Sequence, residues 1–172
     1  KDGQAVQSLS EGEKATLVLN RTCFYAESGG QVGDTGVISR DGSEFLVENT
    51  VKNASGVFLH TGTLRSGCLA VGETVTAEID RERRDAIRRN HTAAHLLQAG
   101  LRRVLGVHVE QAGRLGNEKA VRFDFTHFAA LSAEELRRVE DFVNGAILGA
   151  VEVISREMPI EEARKLGAMA LF

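Results

Sequence analysis

Two histidines, His91 and His95, stand four residues apart in the stretch NHTAAHLLQAGLRRVLG, residues 90–106. Four residues is about one turn of helix, so the two imidazoles lie one above the other on a single face. An imidazole pair of this kind is half of a zinc site, because zinc takes three or four ligands. On an apolar stripe the same residues also read as packing residues, and both readings stand. A metalloprotease is disfavoured, since its motif places a glutamate directly after the first histidine as general base. Thr92 holds that place here. Its hydroxyl is a poor base but is suited to hydrogen-bond a substrate group. Cys23, Cys68, His60, His108, His127 and the carboxylates are the candidates for the remaining ligands. None stands at a spacing that pairs with the helix. The expectation is an incomplete site whose remaining ligands lie beyond Phe172.

A second unusual stretch is CFYAESGGQVGDTG, residues 23–36. Its glycines permit positive φ and close backbone approach. It reads either as a tight connection between strands or as a loop that approaches a nucleotide or RNA end. In HVEQAG, Glu110 and Gln111 fall on alternate faces of an expected strand, so one can point into a site while the other faces away. Arginine is concentrated around the histidine helix, in RERRDAIRR at 81–89 and at Arg102 and Arg103. That pattern reads as a solvated helix face or as a local patch aimed at phosphates.

Two textures of sequence must position these residues. Up to about residue 80 the chain consists of short alternating or β-branched runs separated by glycine: ATLVLN, TGVIS, FLVENTV, VFLHTGTL and TVTAEI. Val75, Ala77 and Ile79 alternate with polar neighbours, the period of a half-buried strand, and Asp41-Gly42 is a tight-turn signal. From about Asp80 the period becomes helical. Ile87, Ala94, Leu97, Leu101 and Leu105 form a stripe that Gly106 stops, with Asn90 as a point where one helix would end and another begin. VHVEQAG and AVRFDF read as strands. SAEELRRVEDFVNGAILG opens with a capping box, Ser132 to Glu135, and carries Leu136, Val139, Val143 and Ile147 at helical spacing. VEVISRE reads as a further strand, and Pro159 precedes a short helix in IEEARKLG. The fold class expected is α+β. A small β-barrel-like module over 1–80 is followed by an α+β module over 81–172, with helices on a sheet.

The 172 residues are 42% hydrophobic and 26% charged, an ordinary globular composition, and the net charge of -3 gives no overall basic field. Two distant cysteines make a disulfide framework unexpected and point to the cytoplasm. No run approaches the length of a membrane span. The chain begins at Lys1 and ends on the apolar GAMALF, so the expectation is a piece of a longer protein.

Taken in order, FYAESGGQVGDTG, HTAAHLLQAGLRRVLGVHVEQAG, VRFDF and EEARKLGAMALF resemble the editing domain of bacterial alanyl-tRNA synthetases over nearly the whole chain. The free-standing alanyl-tRNA editing proteins share the histidine motif, whereas the glycine motif and GAMALF are closer to the full synthetase. The resemblance implies a two-layer editing module of the kind shared by threonyl- and alanyl-tRNA synthetases. It implies Zn2+ held by His91 and His95 together with a later Cys-x-x-x-His that this sequence does not contain, so two of four ligands are present. Thr92 matches a position that helps sort the amino-acid side chain, and Gln111 one tied to editing activity; these are the expected catalytic residues. Gly29, Gly30, Gln31 and Asp34 match the glycine motif, and with Arg84 and Arg122 are the expected contacts to substrate or tRNA. Cys23 departs from the proline usual there, and Gly145 and Gly149 from better helix formers.

The implied activity is hydrolysis of the ester in Ser-tRNA(Ala) or Gly-tRNA(Ala), within a parent that ligates alanine to tRNA(Ala) with ATP and Mg2+ in a separate domain. The expected partners are the tRNA(Ala) acceptor end and the remaining domains of the parent, with neither a membrane nor DNA. A free-standing deacylase and a non-catalytic RNA-binding module remain as alternatives.

Overall fold

The structure is a computed structural model that describes residue 1, residues 4–154 and residues 156–168. The chain divides into two compact units. One comprises residues 1–91 with 114–122, and the other residues 92–113 with 123–172.

The first unit is built on antiparallel strands β1 (Ser8–Ser10), β2 (Lys14–Leu17), β3 (Gly36–Arg40), β4 (Ser43–Lys52), β5 (Phe58–Ser66), β6 (Cys68–Ala70) and β7 (Thr76–Ile79). β1 and β6 pair as a small sheet, and the rest form a five-stranded sheet in the order β2-β5-β4-β3-β7. Asp41 and Gly42 join β3 to β4 with φ of 42° and 81°, the two-residue reversal their types call for. Leu9, Phe24, Ile38, Phe45, Val47, Leu64 and Leu69 form the core, flanked by Val75, Ala77 and Ile79 of the β7 region. The expected barrel is corrected by this topology: β2 and β7 each have one neighbour, so the described sheet is open. Leu9 and Leu69 of the small sheet and Phe24 pack into its core, where a barrel would use further strands of the same sheet.

Strand β4 carries an irregularity that positions the glycine-rich segment. Its inward residues run Ser43, Phe45, Val47 and then Thr50, because the register with β5 shifts between Val47 and Asn49. The extra residue of this bulge turns Thr50, instead of Asn49, inward. Thr50 is fully buried and its Oγ1 donates to the carbonyl of Asp34 at 3.0 Å. The sheet is thereby fastened to the segment.

His60 of β5 is also fully buried. Its Nδ1 lies 3.0 Å from the Leu17 carbonyl, which only accepts, so Nδ1 carries the proton. Nε2 then accepts from the Thr22 hydroxyl at 2.8 Å, and that hydroxyl accepts from the Phe24 N–H at 3.1 Å. The neutral imidazole satisfies every partner, and burial holds its pKa below the ordinary value.

Helix α1 spans Arg81–Leu105. Asn90 does not break it: its side-chain amide donates to the Asn117 carbonyl at 2.7 Å, so it is not spent as a cap. Strands β8 (Gln111–Gly116) and β9 (Val121–Phe125) pair with each other, and the second unit holds residues 92–105 of α1, 111–113 of β8, 123–125 of β9, α2 (Ala133–Leu148) and α3 (Ile160–Lys165). Its core is Leu101, Val109 and Val139, flanked by Leu97, Leu105, Phe123, Phe125 and Val143. Gly100 lets α2 approach, since a Cβ there would meet Phe142 at 3.0 Å. The capping box at Ser132 and Glu135 forms as expected. Leu136 and Ile147 lie on the expected stripe of α2 but are more than half exposed, so the buried face is the narrower Val139–Val143 side.

The strand expected over VEVISRE is absent among its described residues. Val151, Val153 and Ile154 are exposed, and no neighbouring strand takes their backbone hydrogen bonds. Glu110 precedes β8 and is not part of it. The final MALF of the resemblance lies outside the described residues. No described helix is long and apolar enough to cross a membrane.

We expect the stability of this chain to fall as pH drops below about 6.5, where the unfolded His60 takes up a proton that the buried ring resists. Because the folded pKa is the lower one, the loss begins at the unfolded pKa and continues down to the folded one. Denaturant melts at pH 7, 6 and 5 should show a shallower dependence for His60→Gln, by up to about one proton. Equal slopes would contradict this.

Candidate functional site

The glycine-rich segment is held by a tight reversal. Ser28 and Gln31 exchange both backbone hydrogen bonds, at 3.2 and 2.9 Å, around Gly29 and Gly30 with φ of 57° and 73°. Gly30 is required twice over. It sits in the left-handed region, and a Cβ would fall 2.3 Å from the Arg114 carbonyl. The reversal is tied to the tip of the β8–β9 hairpin. Gly116 N donates to Gly30 O at 2.7 Å, Val32 N to Gly116 O at 3.2 Å and Arg114 Nη2 to Gly29 O at 2.8 Å.

The far side of the segment is fastened by Asp34, whose exposure is 2%. Oδ2 accepts from the Tyr25 N–H at 2.6 Å, and Oδ1 accepts from Arg84 Nε at 2.8 Å. Arg84 Nη2 bonds Asp34 Oδ2 and the Cys23 carbonyl. The carboxylate in turn holds the Arg84 guanidinium above its ordinary pKa. Arg83 donates to the Gly33 carbonyl at 2.8 Å, and Gly33 itself lies against β4, where a Cβ would fall 2.1 Å from Thr50 O. Two arginines of the RERR stretch are thus turned onto the segment, an arrangement neither the solvated-face nor the phosphate-patch reading included. Arg84 and His91 are seven residues apart, about two turns of one helix face, and that spacing was the available signal.

At the top of this arrangement His91 Nδ1 lies 2.7 Å from Gln31 Oε1. The two motifs, sixty residues apart in sequence, meet at one contact. His91 is half-buried and Gln31 is buried. Imidazole is a ligand type that suits a soft divalent cation, and His91 and His95 stand one helical turn apart in sequence, with His95 exposed on α1. Among the described residues no group of three or more His, Cys, Asp or Glu side chains is placed to hold a metal ion. Most of the other histidine and cysteine candidates are engaged elsewhere. Cys23 donates to Ala77 O, His60 is buried in the sheet, and His108 and His127 hydrogen-bond each other at 3.0 Å. Cys68 is exposed on β6.

Of the remaining sequence-derived site residues, Thr92 is half-buried on α1, Gln111 is half-buried at the start of β8, and Arg122 is exposed on β9. His91, Gln31, Asp34, Arg84, Gly29, Gly30 and Arg122 belong to the first unit, and Thr92, His95 and Gln111 to the second.

Residues 1–83 match the family model described as tRNA synthetases class II (A). Over 100% of its length the chain is 47% identical to an alanine–tRNA ligase of Rhodopseudomonas palustris and 51% identical to one of Acetivibrio thermocellus. An alanine–tRNA ligase of Pseudomonas syringae is 49% identical over the same 172 residues. The chain spans about a fifth of the length of these relatives, 19% to 20%.

We expect Asp34→Asn to destabilise the chain by about 2–4 kcal/mol, because it leaves the partly buried Arg84 guanidinium without its counter-charge. Gly30→Ala should cost about 2 kcal/mol or more through strain and the clash with Arg114 O. Urea denaturation checks both, and a shift under about 0.5 kcal/mol for either, within the ordinary scatter of surface substitutions, would contradict the assigned role.

Proposed function

We propose that this chain, a segment of the alanine–tRNA ligase family by its 47% and 51% identity to such ligases over its whole length, is part of the proofreading centre of such a ligase. The reaction is hydrolysis of the ester that joins serine or glycine to the 3′ end of tRNA(Ala). The observation that carries the reading is the Gln31–His91 contact, which gathers the glycine motif and the histidine helix into one site. The chemical need is plain. A pocket for alanine excludes larger side chains but rejects only weakly an analogue that lacks a methyl or adds a hydroxyl. A second site must then read the serine hydroxyl by hydrogen bonding, a task suited to the Thr92 side chain.

His91 and His95 would supply two of the ligands for zinc, with the others from beyond Phe172. Zinc bound there would polarise the ester carbonyl or make hydroxide from water at neutral pH. The roles of the protein groups rest on their chemistry. His91 orients its ring against Gln31. Gln111 supplies an amide able to donate to a developing oxyanion and accept from an attacking water. Exposed arginines such as Arg122 would hold phosphates of the acceptor end. Arg84 and Asp34 would act on the substrate indirectly, through the loop they fasten. The architecture that fits this use is the two-layer editing module of threonyl- and alanyl-tRNA synthetases, and the setting is the cytoplasm.

Release of serine from Ser-tRNA(Ala) tests the reading, with this chain compared with a longer form of its parent that includes the later Cys-x-x-x-His. We expect the longer form to deacylate Ser-tRNA(Ala) in preference to Ala-tRNA(Ala) and to retain zinc after dialysis. The short chain should do either poorly, and His91→Ala in the longer form should lower the rate by about 100-fold or more. Equal zinc content and rate in the two forms, or indifference to His91→Ala, would sink it.

A further inference from the structure

Gln31, in the loop built from the glycine motif, turns its side chain to the imidazole of His91. We propose that Gln31 is a positioning residue that fixes His91 in the tautomer with the proton on Nδ1 and the lone pair on Nε2, the atom that then ligates. The metal in this statement rests on the proofreading reading above; the tautomer does not.

The donor roles are set by chemistry. An amide oxygen only accepts, so the 2.7 Å contact between Gln31 Oε1 and His91 Nδ1 requires a proton on Nδ1. Which imidazole nitrogen is available to a metal is decided by the hydrogen bond the other makes. A carbonyl oxygen is a common partner for a ligating histidine, and it raises ligand basicity while fixing the ring plane.

Gln31 can impose this because it is itself immobilised. Its side chain is buried, its backbone exchanges both hydrogen bonds with Ser28, and it bridges to Gly116 in parallel register. Gly30 lets the preceding peptide pass against Arg114, where no other residue fits. Arg84, two turns before His91 on the same helix, anchors the other end of the segment through Asp34. Helix and loop are therefore registered by one contact and oriented by the other. This also gives the glycine motif a function: it is the shape needed to present one amide oxygen to one imidazole. A glutamine does so without adding a negative charge.

The test uses the chain with 15N-labelled histidine, in native form and as Gln31→Met, which keeps length but has no acceptor, and Gln31→Glu, which keeps the acceptor. Long-range 1H–15N spectra report which nitrogen of His91 is protonated, and added ZnCl2 reports binding at the same ring. We expect Nδ1–H in the native and Glu forms and a shift toward Nε2–H in the Met form. The zinc dissociation constant should rise about 10- to 100-fold in the Met form and be equal or lower in the Glu form. A native His91 protonated on Nε2 would overturn the proposal, as would an unchanged tautomer in the Met form. Loss of the native tautomer in both variants together with a lowered melting temperature would reduce Gln31 to a structural residue, which also overturns it. Native zinc binding that leaves His91 resonances unmoved counts against the metal reading alone, while the tautomer still decides the role of Gln31.

Discussion

A carboxylate at 2% exposure is the constraint on which the first unit depends. An ionised group so deep is tolerated only when paired and hydrogen-bonded. Asp34 meets that condition by taking the Tyr25 N–H and two nitrogens of Arg84. Three pieces of chain meet there: Tyr25 at the entry of the glycine-rich segment, Asp34 itself at its exit, and Arg84 in the first turn of α1. To satisfy the charge is therefore to assemble the loop on the helix. The same requirement turns Arg84 inward onto the segment.

Close backbone approach is the second theme. Gly30 passes Arg114, Gly33 passes Thr50 and Gly62 passes Leu46, each at distances that would put a Cβ inside a carbonyl oxygen. The bulge in β4 belongs to the same design, since its extra residue turns Thr50 under the loop. The glycines thus serve less as flexible punctuation than as sites where two backbones touch. A loop so fastened is rigid enough to orient a histidine ring, as a loop with free glycines would not be.

The second unit obeys ordinary helix logic. A capping box starts α2, Gly106 with φ of 120° stops α1, and Gly100 brings α2 close. Its core is small, and the buried Gln98 amide has an Oε1 without a hydrogen-bond partner among the described residues. Its later residues leave several large apolar side chains exposed, among them Leu148, Val151 and Val153.

The sequence by itself determined the element types with strong periods: the strands through Val75–Ile79, the Asp41-Gly42 hairpin, the helical stripe from Ile87 to Leu105, though not its continuity through Asn90, and the Ser132 cap. Each is a local rule, in which period, turn residue or cap acts within a few positions. It also marked His91 and His95 as a pair and the glycine segment as unusual, because spacing and residue type suffice for that. It missed β1 and β6, which are three residues each and exist through their pairing. It extended a strand over Val151–Ile154, where β-branched content met no partner to bond. It closed the sheet into a barrel, although closure depends on which edges meet. Only the tertiary structure decided that Asp34 and Arg84 face each other, that Thr50 turns inward at a bulge, and that Gln31 reaches His91. These are contacts between residues 16 to 60 positions apart, set by register and burial, and no local pattern encodes them.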